Sequence, residues 1–70
     1  MITTVQEAID RIREIHSYAG DDEAQHGRED DLMREFIASV AAGMLDSREM
    51  QSIAARIVEL NHEDFARWCA

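Results

Sequence analysis

Residues 4–20, Thr4-Val5-Gln6-Glu7-Ala8-Ile9-Asp10-Arg11-Ile12-Arg13-Glu14-Ile15-His16-Ser17-Tyr18-Ala19-Gly20, decide the fold class. Val5, Ile9, Ile12, Ile15 and Ala19 recur at spacings of three and four, and Ala8 widens the stripe. That is the period of one face of a helix, not the strict alternation of a strand. Thr4 followed three residues later by Glu7 reads as a capping box, the hydroxyl and the carboxylate each satisfying a free amide of the first turn. Gly20 offers a left-handed cap at the far end. The pattern predicts a helix over about residues 5–19.

The same grammar continues outward. Asp21-Asp22-Glu23 places acids where the positive end of a helix dipole favours them. Leu32, Met33, Phe36, Ile37, Val40, Ala41 and Met44 then form a wide apolar stripe, and Gly43 is a natural stop. A second helix is expected over about residues 22–42. Gly27 weakens its first turns by about 1 kcal/mol against alanine, so residues 21–28 read equally as a loop or a separate turn. Asp46 and Glu49 form another capping box, bracketed by Leu45 and Met50 at hydrophobic-staple positions. Met50, Ile53, Ala54, Ile57 and Leu60 follow as the apolar face of a third helix over about residues 47–60. Asn61 either ends that helix or caps a short helical turn over residues 62–69, with Phe65, Trp68 and Cys69 as its apolar edge.

The whole predicts an all-α fold in one domain spanning residues 1–70. It is a small antiparallel bundle of three helices plus the short C-terminal turn, because the connections are only a few residues long. A core this small supplies roughly 3–5 kcal/mol. A homodimer that buries leftover apolar surface such as Met33, Ile37 or Met44 is one expectation, and a marginally stable monomer is the other.

Composition narrows the function classes. The 70 residues carry 15 acidic and 7 basic side chains, a formal net charge of -8. That excess disfavours sequence-independent binding to nucleic acid, which relies on Lys and Arg neutralising phosphates, and disfavours anionic membrane surfaces. It favours a basic protein partner through long-range steering, with solubility as the alternative reading. All seven basic residues are Arg. Arg permits bidentate pairing, and biased codon usage gives the same count. The one cysteine excludes an internal disulfide and a thiolate zinc site. There is no 18-residue apolar run and no basic-then-apolar leader, so the expected location is the cytoplasm.

The densest constellation is acidic. Asp21, Asp22, Glu23, Glu29, Asp30 and Asp31 put six carboxylates into eleven residues, offset only by Arg28. On a helix Asp22, His26 and Asp30 share one face at i, i+4, i+8. Such a row can imitate phosphates and occupy a nucleic-acid groove on another protein, or it can cap a helix and stay solvated. Arg28 and Arg34 would set register on a partner. Glu23-x-x-His26 and Glu59-x-x-His62 match the i, i+3 ligand pair of di-iron bundles, with Glu14 and Glu35 as further carboxylates. Abundant glutamate makes chance matches common, and no metal or cofactor is expected. A Cys69–His62 dyad lacks an orienting third group and a cleft, and neither a nucleophile elbow nor a glycine-rich phosphate loop is present. No enzymatic activity is expected. Trp68 beside Arg67 reads either as an interface anchor or as a core closure. His16, His26 and His62 read as surface residues, with pH-sensitive binding as the alternative.

Two stretches carry a resemblance. His26-Gly27-Arg28-Glu29-Asp30-Asp31-Leu32, running on to Ile37-Ala38 and Gly43, and the ending Asp64-Phe65-Ala66-Arg67-Trp68-Cys69-Ala70 are similar to small uncharacterised acidic helical proteins of bacteriophages, prophages and actinobacteria-like genomes. The ending is the more specific part. The resemblance implies a short accessory protein, often near mobile elements, and brings no catalytic residues. The combined expectation is a non-enzymatic protein-binding chain that presents Asp21, Asp22, Glu23, Arg28, Glu29, Asp30 and Asp31 to a basic protein surface, as a phage-type inhibitor would.

Overall fold

Among the described residues, three helices form where the caps and the periodicity require them. The computed structural model describes residues 1–62. The Thr4 hydroxyl accepts a hydrogen bond from the Glu7 amide at 3.1 Å and starts α1 (Val5–Ser17). The Glu7 carboxylate reaches past Thr4 and accepts from the amide and the hydroxyl of Thr3. The expected box is thus displaced by one residue on its carboxylate side. That hydrogen bonding from Thr3 holds the Glu7 carboxyl below its ordinary pKa. α1 also stops earlier than its apolar spacing implies. The amides of Tyr18 and Ala19 bond back to Ile15 and His16 at 3.1 Å each, and Gly20, at φ +95°, turns the chain afterwards. Ala19, expected on the buried stripe, is exposed.

Asp21 caps α2 (Asp22–Ala41), its carboxylate accepting from the Ala24 amide at 3.1 Å. Residues 22–28 are therefore helical, Gly27 included. At the other end Gly43, at φ +70°, closes a Schellman turn. Its amide bonds to Val40 at 3.1 Å, and that of Met44 to Ser39 at 3.0 Å. Asp46 and Glu49 form the expected reciprocal box at 2.7 and 3.0 Å and start α3 (Ser47–Asn61). Asn61 is its last helical residue, and His62 caps it. Apart from His62, the short turn expected over 62–69, with Phe65, Trp68 and Cys69, lies outside the described residues.

The three helices share one core. Ile2 and, from α1, Ala8 and Ile15 meet Leu32, Leu45 and the α3 residues Ile53, Ile57 and Leu60, with Val5, Ile12, Met33, Phe36 and Met50 packed around them. Leu45 and Met50 flank the α3 cap on the core side, as the staple spacing predicts.

The face that α2 buries differs from the expected stripe. Leu32 is buried and Met33 and Phe36 are half-buried, but Ile37, Val40, Ala41 and Met44 are exposed. The inward line is Gln25, Glu29, Leu32, Phe36 and Ser39, at spacings of four, three, four and three. Polar anchors fix this rotation. The Ile2 amide donates to Ser39 Oγ at 2.9 Å, and that hydroxyl donates to the Glu35 carbonyl at 2.8 Å. The Arg11 guanidinium meets Glu35 at 2.7 Å, and the chain's first ammonium lies 3.5 Å from the same carboxylate. At the other end of the helix Gln25 Nε2 donates to the Ile15 carbonyl at 3.3 Å. Apart from the Ser39–Glu35 bond within α2, each contact ties α2 to α1 or to the segment before it, so the edge carrying residues 25, 35 and 39 turns toward α1, and Ile37 and Val40 turn away.

Among the described residues, no helix is long and apolar enough to cross a membrane.

Candidate functional site

The acidic residues leave the N-terminal half of α2 in several directions, because a helix turns about 100° per residue. Asp21 is committed to its cap. Asp22 and Glu23 stand exposed in the first turn. Glu29 lies in the interior at 2% exposure and presents nothing to a partner. Asp30 is half-buried and sits 3.6 Å from His26 Nε2. Asp31 is exposed. The seven residues expected to form one surface thus divide: Asp21, Asp22, Glu23, Arg28 and Asp31 are exposed, with Asp21 also capping the helix, Asp30 is half-buried and Glu29 lies inside.

Arg28 also works internally. Its guanidinium lies 5.4 Å from the centre of the Tyr18 ring, donates to the Tyr18 hydroxyl at 3.4 Å and approaches Glu14 at 3.7 Å. The Tyr18 hydrogen bond, with the nearby Glu14 carboxylate, raises its pKa. Arg28 therefore staples α2 to the end of α1. Arg34, one turn and a half further on, is exposed.

Gly27 sits between these groups. It has no side chain, and an added Cβ there would meet nothing within 4 Å. The result is a shallow open groove lined by Ala24, Gly27, Arg28, Asp30, Asp31 and Arg34. Its lining pairs two carboxylates, Asp30 and Asp31, with two guanidinium groups, Arg28 and Arg34. Sequence reasoning found the carboxylates and missed the groove. The signal was available: Ala24, Gly27, Asp31 and Arg34 recur at helical spacings of three and four once residues 22–28 are taken as helix.

His26 differs from the expectation of a surface residue. It is 7% exposed, and its Nδ1 is buried without a hydrogen-bond partner among the described residues. His16 and His62 are exposed. Among the described residues no group of three His, Cys, Asp or Glu side chains converges as metal ligands would. Glu14 faces Arg28, Glu35 faces Arg11, and His26 is buried while Glu23 points to solvent. No family model matches the chain, and neither a curated protein nor a solved structure is similar to it.

Proposed function

We propose that the chain is a non-enzymatic protein-binding module that docks the outer face of α2 onto a basic segment of a partner protein. The observation that carries this reading is the groove over Gly27, lined by Asp30 and Asp31 beside Arg28 and Arg34, where the missing side chain lets a partner's side chain approach the helix backbone. Asp22 and Glu23 extend the negative field toward the start of α2, and the net charge of -8 steers a cationic partner from a distance. Arg34 gives the groove polarity, so a docked segment places its cations over the first half of α2 and an acid beyond them. A phage-type inhibitor that occupies a nucleic-acid groove on a host protein is one form of this function, supported by the carboxylate density and by the resemblance noted above.

The test uses a fluorescent arginine-rich peptide and anisotropy at low and at high salt. Replacing Asp30 and Asp31 together by Asn should weaken binding by roughly tenfold at low salt, since surface charges contribute about 0.2–1 kcal/mol each, and should flatten the salt dependence. Replacing the exposed Asp10 and Glu59 together, an equal change in net charge elsewhere, should cost much less. Equal losses in the two double variants would mean that only net charge matters and would remove the groove from the account.

A further inference from the structure

α2 changes character along its length. Residues 21–31 hold six carboxylates, whereas residues 32–44 hold one cation and one anion, Arg34 and Glu35, and Glu35 is occupied by Arg11. In that neutral half an apolar line faces solvent. Met33 is half-buried, Ile37 is 64% exposed, Val40 39% and Met44 46%. Met44 follows the left-handed Gly43, whose turn returns the chain beside the last helical residues. The order Met33, Ile37, Val40, Met44, with spacings of four, three and four, reads the same from either end.

We infer that this line is the interface of a homodimer, in which the α2 helices of two copies run antiparallel about a two-fold axis between Ile37 and Val40. A two-fold interface must be complementary to itself. Ile37 and Val40, both exposed on α2 and three residues apart, meet that need, each set against the other on the second copy, with Met33 and the post-helical Met44 at the margins. Ala38 and Ala41 flank the line and let the two helices approach. Charge selects the direction. A parallel pair sets one acidic half of α2 against the other. An antiparallel pair carries them to opposite ends, with the two His26 positions about 37 Å apart at 1.5 Å per residue, several times the ~8 Å screening length.

The size of the patch sets the strength. The exposed fractions leave on the order of 300 Å² of apolar surface per copy, the scale at which a patch marks an interaction site. Two copies thus bring together about 600 Å² of apolar surface, below the ~1,000 Å² that a stable interface clears and in the range of weak, transient contacts. The dimer is therefore weak. The line shares no residue with the groove over Gly27, so this inference stands or falls separately from the proposed binding function.

Sedimentation equilibrium of the full chain, from low micromolar to near-millimolar concentration, is the test. The average mass should climb from 8.0 kDa toward twice that value. The association should tighten with added salt, because each copy carries -8; binding of a basic peptide should weaken. Ile37→Glu and Val40→Glu should each weaken association at least tenfold with an unchanged far-UV circular dichroism spectrum, and Ile37→Leu should preserve it. Spin labels at Glu23→Cys, in a Cys69→Ser background, should lie about 45 Å apart for an antiparallel pair and near 10 Å for a parallel one. A chain that stays monomeric throughout overturns the inference, as does a dimer indifferent to Ile37→Glu or one with the short label distance. Loss of peptide binding in a monomeric Ile37→Glu variant would assign the line to a basic partner and overturn it too.

Discussion

Two isoleucines in this chain should respond oppositely to the same truncation. Ile2 precedes the first helix and is 1% exposed, while Ile37 lies within α2 and is 64% exposed. Ile2 belongs to the core cluster, and its amide is held by Ser39 Oγ at 2.9 Å. Truncating a buried isoleucine to alanine costs about 2–5 kcal/mol, the spread reflecting how far the site can collapse. A site near a chain end collapses more easily, so Ile2→Ala should fall near the lower end, about 2.5 kcal/mol. That is a large share of the roughly 3–5 kcal/mol that a core of this size supplies. With a urea slope near 1 kcal/mol per molar, the midpoint should fall by about 2.5 M or leave no folded baseline at all. Ile37→Ala should change stability by less than about 0.5 kcal/mol. The assay is urea unfolding followed by far-UV circular dichroism at low micromolar protein, a concentration chosen to keep the proposed association out of the measurement. An Ile2→Ala midpoint close to the parent's, or an equal loss for Ile37→Ala, would refute the assigned rotation of α2 and the docking of the segment before α1.

Further outcomes follow from single contacts. Gly27→Ala should stabilise the chain by about 0.5–1 kcal/mol, because the position is helical and the new methyl meets nothing; thermal unfolding reads the gain, and a loss would contradict the helical assignment of residues 22–28. Ser39→Ala strips the Ile2 amide of its acceptor in a buried site and should cost about 1–3 kcal/mol, seen in the same urea titration; a change below about 0.5 kcal/mol would show that the bond does not hold the segment. Glu35 is held below its ordinary value of 4.5, first by the hydrogen bond from Arg11. A depressed carboxylate adds stability that is complete above the unfolded value and disappears as the pH falls through the folded one. The stability difference between the parent and Glu35→Gln, about 1 kcal/mol or less because a third of the side chain is open to solvent, should be present at neutral pH and vanish below that range. A difference that ignores pH would mean the pair contributes packing alone.

The helices were legible because their ends are written in short-range chemistry. Thr4, Asp46 with Glu49, and Gly43 act on amides and carbonyls within four residues, so the sequence spacing contains the whole interaction. The rotation of α2 was not legible. It depends on contacts between residues 37, 24 and 10 apart in the chain, Ile2 to Ser39, Arg11 to Glu35 and Gln25 to Ile15, and hydropathy gives no sign of them. Ile2 lies before the first helical cap, where no periodicity exists to mark it. The acidic run illustrates both cases. Its cap, Asp21, follows from local rules. Glu29 looks like one more surface acid, yet it continues the line from Phe36 and Leu32 back to Gln25. Extending that line by one step of three would have placed it inside.

The placement of polar and apolar groups on α2 bears on function in its own right. Gln25, His26, Glu29 and Ser39 lie inside while Ile37, Val40 and Met44 lie outside. Turning the helix to bury the apolar group would enlarge the core by the ~1.5–3 kcal/mol that each buried aliphatic side chain contributes. For so small a domain that gain is comparable to the total stability. Burying polar side chains instead costs free energy unless each finds a partner, and the Ser39 and Gln25 hydrogen bonds only offset that cost. The conflict between local pattern and global packing falls where natural sequences tend to place their functional surfaces. An apolar line held outward on one half of α2, beside a groove of mixed charge on the other, leaves both halves open to the proposed contacts. Both halves can act together, since an antiparallel pair of copies leaves one groove free at each end, and two weak sites on one particle bind a repetitive basic partner more tightly than either does alone.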